Sequence, residues 1–311
     1  MLTHQLGRTG LSVSAICFGG NVFGWTIDEQ RSFTVLDAFI DGGGNFIDTA
    51  DVYGQGTSES ILGRWMSSRK NRERIILATK LGFKMGDDSN AHGLSRRYIL
   101  QEVEASLKRL QTDYIDLYQA HGDDPGAPLT ETMAAFNDLV QQGKVRYVGA
   151  SNYSAERLRE ALSVSDQHSY VRYSCLQPPY NLVNRAQYEG ALESLCLERG
   201  LGVITYSSLA SGFLTGKYRS GRDLPSSPRA KRIQERYMNE KGFRVVEQLD
   251  HIAEAHGATV AQVALAWIMA RPGITAPIAS ATSVEQVHEL LDAVNVQLTP
   301  EEMEALNKVS A

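Results

Sequence analysis

Short, almost continuously apolar runs alternate with segments of helical period from one end of the chain to the other. The runs are residues 14–18, 45–49, 75–80, 115–120, 145–150, 173–177, 202–207 and 275–279. Most lack a polar face, as strands covered on both sides of a parallel sheet require. Between them, Phe33, Leu36, Phe39 and Ile40 recur at helical spacing, as do Ile99, Val103, Leu107 and Leu110, and Met133, Phe136, Leu139 and Val140. This spacing predicts amphipathic helices with one buried stripe. Glycine follows several of them, at Gly42-Gly43-Gly44, Gly143, Gly200 and Gly257, where it takes a left-handed cap without steric cost. Thr299-Pro300-Glu301-Glu302 carries a capping box with proline at the first helical position and opens a last helix.

Eight strand–helix units in one series predict an α/β fold of the closed (β/α)8 TIM-barrel type, a single domain over residues 1–311. An open doubly wound sheet is the rival. It places a G-x-G-x-x-G turn after its first strand, and here the chain reads Gly19-Gly20-Asn21-Val22-Phe23-Gly24. Residues 4–13 read as an N-terminal β-hairpin turning at Arg8-Thr9-Gly10, placed to close the bottom of a barrel. Residues 210–240 break the rhythm as a long loop after strand 7, rich in Gly, Pro, Ser and Arg.

Composition narrows the function. The 311 residues are 42% hydrophobic and 22% charged, enough apolar mass for a large core. Length alone suggests two domains at about 150 residues each, a prior that the strand series overrides. The net charge of −5, without a long basic run, argues against nucleic acid as the main partner. Three cysteines, Cys17, Cys175 and Cys196, are too few for a disulfide framework, fit no zinc spacing and read as buried small residues in a cytoplasmic protein. No membrane span is expected. The apolar stretch 260–270 is short and carries Gln262 and Trp267, and Met1-Leu2-Thr3-His4-Gln5-Leu6 lacks the marks of a signal peptide.

Barrel active sites gather at the C-terminal ends of the strands. There the chain places Asp48 with Tyr53 beyond it, Lys80, His121, Ser151-Asn152, Gln177 and Tyr206-Ser207. Each apolar run stops at a hydrogen-bonding or ionisable group. The first four form a coherent set. A phenol of pKa about 10 is a poor acid, and a neighbouring ammonium stabilises its phenolate. Asp48 keeps that ammonium charged, and His121 offers a hydrogen bond to a carbonyl oxygen. Only one of the seven histidines falls at a strand end, which speaks against metal hydrolysis. Asp51 and Asp116 read as cap or loop residues. Trp25 and Phe23, after strand 1, are placed to wall a substrate pocket.

Five stretches resemble the aldo-keto reductases, in order and over nearly the whole chain. The first is Asn45-Phe46-Ile47-Asp48-Thr49-Ala50-Asp51-Val52-Tyr53-Gly54 with Ser58-Glu59-Ser60-Ile61-Leu62-Gly63. Ala78-Thr79-Lys80 and the segment 106–121 ending in Gln119-Ala120-His121 follow. Gly143-Lys144-Val145-Arg146-Tyr147-Val148-Gly149-Ala150-Ser151-Asn152-Tyr153 and Gln177-Pro178-Pro179-Tyr180-Asn181-Leu182 complete the series. The resemblance implies NAD(P)H-dependent reduction of aldehydes or ketones, with Tyr53 as proton donor, Lys80 and Asp48 tuning it, and His121 orienting the carbonyl. Trp25, Tyr53 and His121 would touch the substrate.

The same resemblance implies a cofactor site. Ser151, Asn152 and Gln177, beside Asp48, would hold the nicotinamide carboxamide, and Tyr206 would stack on the ring. The stretch 206–218 looks like the pyrophosphate-binding segment of the branch that includes potassium-channel β subunits. By that likeness Ser207, Leu209, Ser211, Gly212 and Lys217 contact the cofactor, and Arg229 reaches it. Ser208 stands where that branch has proline. After strand 8, Ser280 and Leu290 depart from the family pattern, while Thr282 and Gln286 remain for a 2′-phosphate and Glu289 for adenine. Gln286 also stands three after Ser283, as a capping box would have it. NADPH is the expected cofactor, with NADH possible, since no strong cation occurs in that stretch. The expected partner is a small carbonyl substrate. The alternative is a regulatory subunit that binds NADP(H) with little turnover. Loops 21–27, 84–94, 123–128 and 210–240 would set specificity.

Overall fold

The structure is a computed structural model that describes residues 2–87 and 91–311. The first two strands, β1 (Thr3–Gln5) and β2 (Ser12–Ser14), pair antiparallel with His4 opposite Val13. Their turn is tied by Thr9, whose N–H and Oγ1 both donate to the Leu6 carbonyl. This is the expected hairpin. The barrel strands follow as β3 (Cys17–Gly19), β4 (Phe46–Asp48), β5 (Ile76–Leu81), β6 (Ile115–Ala120), β7 (Val145–Ser151), β8 (Tyr173–Gln177), β9 (Gly202–Thr205) and β10 (Ile274–Ala279). They close in chain order, β10 pairing β3, and every barrel pairing is parallel.

Two strand limits differ from the sequence pattern by more than one residue, for local reasons. Ser14 belongs to the hairpin, because it pairs with Thr3 while its Oγ donates to the Ile16 carbonyl. The seventh barrel strand stops at Thr205. Beyond it Tyr206 N–H donates to the Pro178 carbonyl, and Ser207 turns the chain at φ +54°.

The helices expected from 3.6-residue spacing are present, among others that the pattern did not mark. They are α1 (Glu29–Asp41), α2 (Thr57–Arg69), α3 (Arg96–Leu110), α4 (Leu129–Gln141), α5 (Ala155–His168), α6 (Ala191–Arg199), α7 (Ala230–Tyr237), α8 (Glu240–His256), α9 (Val260–Met269), α10 (Val284–Asp292) and α11 (Pro300–Ser310). Leu36, Phe39 and Ile40 of α1 and all four apolar positions of α3 are buried. Side-chain caps start several of them, for example Asp28 accepting from the Arg31 N–H and Thr299 from the Glu302 N–H. The apolar α9 is a core helix, with Trp267 fully buried and its Nε1–H donating to Asn307. No single helix among the described residues is long and apolar enough to cross a membrane.

The segment 210–240 is only partly irregular. A 3₁₀ turn spans Ala210–Thr215, and α7 follows, anchored by buried Ile233. Polar residues on the exposed side of so short a helix hid its period.

Two apolar cores result. The larger lies between strands and helices. The smaller fills the lower barrel, where Leu6, Leu11 and Val13 of the hairpin meet Cys17, Phe46, Leu117, Cys175 and Ile204. Gly7 makes this plug possible at φ +55°: a Cβ there would stand 2.5 Å from the Gly202 nitrogen. All three cysteines are buried. Asp116 is a correction: it lies within β6, where it pairs with Arg72 and Arg146 and accepts from the Leu77 N–H. With the bottom sealed, the inward polar residues gather at the other end.

Candidate active site

Strand register lines up the polar groups. Asp48 sits opposite Gly19 and Ala78, Lys80 opposite Gln119, and Ser151 opposite Gln177. Lys80 is fully buried and donates from Nζ to Asp48 Oδ2 at 2.7 Å, to the Thr49 carbonyl at 2.7 Å and to the Tyr53 phenol at 3.4 Å. The other carboxylate oxygen, Asp48 Oδ1, accepts from Gln177 Nε2 at 2.9 Å and from Gln119 Nε2 at 3.4 Å. The buried carboxylate is thus held from three sides, which such a charge needs. Gln119 was missing from the sequence reading. A glutamine inside an apolar strand was the available sign, and Gly149 opposite leaves room for its side chain.

Charge and burial set the protonation states. Burial opposes the Lys80 ammonium, but Asp48 and Tyr53 outweigh it and push it up to about 12. For Tyr53, burial pushes the phenol above its ordinary value, Lys80 pulls it down, and Asp48 and Asp51 push it up again. The net direction is upward, so Lys80 offsets desolvation of the phenolate without fully reversing it. His121 lies in the opposite regime. Burial, then the Lys80 charge, holds its imidazole well below the usual range, so the ring is neutral and carries one N–H. Its Nδ1 is buried without a partner among the described residues.

The aromatic groups at the mouth are less regular. The Tyr53 ring stands edge-on to His121 at 5.9 Å, and Phe83 stacks on His121 at 4.2 Å. Phe83 is 44% exposed, so it is held by the imidazole and open to solvent. The sequence marked it only as an aromatic three residues after Lys80. Trp25 is exposed beneath the Arg229 guanidinium, 5.0 Å from its ring centre. Phe23 does not wall a pocket: it is buried against Phe18 in the core. Of the loop 84–94, residues 88–90 lie outside the described residues.

The other predicted polar groups form a connected rim. Ser151 Oγ donates to the Gln177 carbonyl. Asn152, at φ +57°, donates to the His121 carbonyl and to Ser151 Oγ, and its Oδ1 accepts from the Tyr206 hydroxyl. Buried Asn181 fixes the next turn by donating to the Ser207 carbonyl.

From there Ser207, Ala210, Ser211 and Gly212 all have positive φ. Left-handed residues can shape a turn into a concavity that suits anions; here the Ala210 and Gly212 N–H groups donate within the turn, to the Ser207 and Leu209 carbonyls. Gly212 packs near Lys217 Nζ. Lys217 is held below its ordinary value by burial and then by Arg229, and Arg229 by burial and then, against the opposing pull of Tyr218, by Arg232. Neither cation forms an ion pair with a carboxylate among the described residues. Exposed Lys217 and half-buried Arg229, two cations without a carboxylate partner among the described residues, fit a polyanionic pyrophosphate beside this turn.

At the last strand, Ser280 Oγ bonds to Asn21, and only a glycine at position 19 leaves room for it. Gln286 does not complete the capping box expected of it. Ser283 Oγ accepts from the Gln286 N–H, but Gln286 Oε1 accepts from the N–H and hydroxyl of Thr282. Glu289 sits one turn on, half-buried.

Known proteins resemble this chain over nearly its whole length. The model of the aldo/keto reductase family matches residues 15–311. An uncharacterized oxidoreductase of Bacillus subtilis, YrpG, is 36% identical over 98% of this chain and 94% of its own length. A probable voltage-gated potassium channel subunit beta of Arabidopsis thaliana is 36% identical over 99% and 96%. The aldo-keto reductase AFTS1 of Alternaria alternata is 35% identical over 96% and 88%.

Proposed function

The chain belongs to the aldo/keto reductase family, a family of oxidoreductases, and on that premise we propose that it reduces aldehyde or ketone carbonyls to alcohols with NADPH. The observation that carries this reading is the single lysine shared between Asp48 and Tyr53. When bound, the nicotinamide supplies the hydride. Tyr53 gives its phenolic proton to the carbonyl oxygen, and Lys80 stabilises the phenolate left behind. Asp48 keeps Lys80 charged. Neutral His121 donates its N–H to the same oxygen and holds the carbonyl beside Tyr53. Ser151, Asn152 and Gln177 hold the carboxamide, and Tyr206 lies against the ring. The 207–212 turn, with Leu209, Lys217 and Arg229, takes the pyrophosphate. Thr282, Gln286 and Glu289 take the adenosine end. The acceptor is a small molecule, and a cytoplasmic setting suits the reduced cofactor.

A second reading has its own support. Relatives named as potassium channel β subunits suggest an NADP(H)-binding subunit that docks on a partner. Steady-state NADPH oxidation against a panel of aldehydes and ketones separates the two. Turnover that saturates with at least one carbonyl is the expected result. Tight cofactor binding without turnover on any of them would favour the subunit.

A further inference from the structure

Behind Tyr53 lies a second buried polar cluster that the proposed chemistry does not use. It contains three carboxyl groups, Asp51, Glu59 and Glu102, all buried, and one cation, Arg109. Glu59, on α2, accepts from Thr79 Oγ1 at 2.6 Å and from Arg109 Nε at 2.7 Å. Glu102, on α3, pairs with the Arg109 guanidinium, which also donates to Ser106. Arg109 is therefore fully taken by two carboxylates. Asp51 receives only the Val52 N–H on Oδ1, and its Oδ2 has no partner among the described residues. The hydroxyls of Tyr98 on α3 and Tyr118 on β6 are likewise buried and unpartnered.

Three carboxylates around one guanidinium would leave two buried charges uncompensated. A buried acid in that position takes up a proton. Glu59 and Glu102 share Arg109 and have their bonds, and although burial also pushes the Glu59 carboxyl up against Arg109 and Thr79, Asp51 has neither cation nor second donor, so the first proton belongs on Asp51. The turn that carries Asp51 is also the turn that carries Tyr53. The Asp51 N–H donates to the Lys80 carbonyl and the Tyr53 N–H to the Ala50 carbonyl. Gly56, which ends the turn, packs so closely on Arg109 that a Cβ would stand 2.6 Å from its Cδ.

We propose that Asp51 is a positioning residue that works as a neutral acid, keeping negative charge away from the Tyr53 phenol while it holds the turn that presents Tyr53. This rests on the reading of Tyr53 as proton donor. Ionising Asp51 would place a second anion near Tyr53, beside Asp48, and make the phenolate harder to form. Proton donation would slow while Tyr53 still held its proton. The direction agrees with the burial of Asp51. Desolvation, then Glu59 and Glu102, push its carboxyl up to about 8, against the Val52 N–H and Arg109.

Two measurements test this, and only one needs turnover. In unmodified protein labelled with ¹³C at the aspartate carboxyls, one resonance should titrate near pH 8. If every aspartate has finished titrating below about pH 6, the proton is not there and the proposal fails, whatever the protein reduces. The second compares carbonyl reduction by the unmodified protein and Asp51→Asn. The unmodified kcat should fall roughly tenfold as Asp51 ionises, and the alkaline limb of Asp51→Asn should lie at higher pH. Superimposable limbs would overturn the link to Tyr53. A carboxyl that titrates near 8 in a protein without turnover would uphold the neutral acid and point to failure of the reductase reading.

Discussion

The ammonium of Lys80 donates to the phenol oxygen of Tyr53 at 3.4 Å, and it does so from a fully buried position where Asp48 is its only ion-pair partner among the described residues. Desolvating two charges costs several kcal/mol for each ion, so the pair adds little net stability, but removing one partner strands the other. Lys80→Met should therefore destabilise the fold by about 3–5 kcal/mol in urea unfolding. The folded ammonium is raised to about 12. Its contribution is thus complete below the ordinary lysine value and lost as pH rises through about 12. The stability gap between the unmodified protein and Lys80→Met should stay level through neutral pH and narrow only in strong alkali. A gap that narrows near neutrality would contradict the assignment.

Burial holds both Lys217 and Arg229 below their ordinary values, Arg229 lowers Lys217 further, and neither has a carboxylate partner among the described residues. Losing one charge-assisted contact costs about 1.5–3 kcal/mol. Lys217→Ala should weaken NADPH and NADH alike, by roughly ten- to a hundredfold in fluorescence titration. Gln286→Glu should act differently, weakening NADPH by roughly tenfold and leaving NADH nearly unchanged. Equal losses for both cofactors would remove Gln286 from the 2′-phosphate site.

Phe83 stacks on His121 yet stays open to solvent. Phe83→Ala should raise KM for bulky carbonyls several-fold while changing stability by about 0.5 kcal/mol or less. An unchanged KM across the carbonyl panel would place Phe83 outside the substrate path.

Gly7 predicts the reverse pattern. A side chain there meets the backbone of β9 and β8 and needs a left-handed conformation. Gly7→Ala should cost roughly 1–3 kcal/mol of stability by disturbing the hairpin plug, with kcat intact once folded. Lost turnover at full stability would show that the barrel bottom reaches the site.

The fold was legible because strand ends and helix stripes follow local periods, which one sequence displays. Asp48, Lys80, His121 and Gln177 stood out because each ends an apolar run. Gln119 did not, since it lies one turn of the pleat inside β6 and meets Asp48 only after the barrel closes. Asp116 was misread for the same reason: its partners Arg72 and Arg146 come from other elements. Phe23 and Trp25 stand two residues apart with opposite fates, one in the core and one under Arg229. The place of Trp25 depends on the path of the segment that carries Arg229, which no short-range pattern encodes. The charge on Asp51 is likewise a property of the packed cluster and not of its neighbours in sequence.

The central claim is that Tyr53 supplies the proton. The most direct test is Tyr53→Phe, with NADPH affinity by fluorescence quenching and turnover on the best carbonyl of the panel measured side by side. General acid catalysis contributes about 10²–10⁴-fold, so turnover should fall by that factor with cofactor affinity nearly unchanged. Turnover that survives intact in Tyr53→Phe would contradict the account.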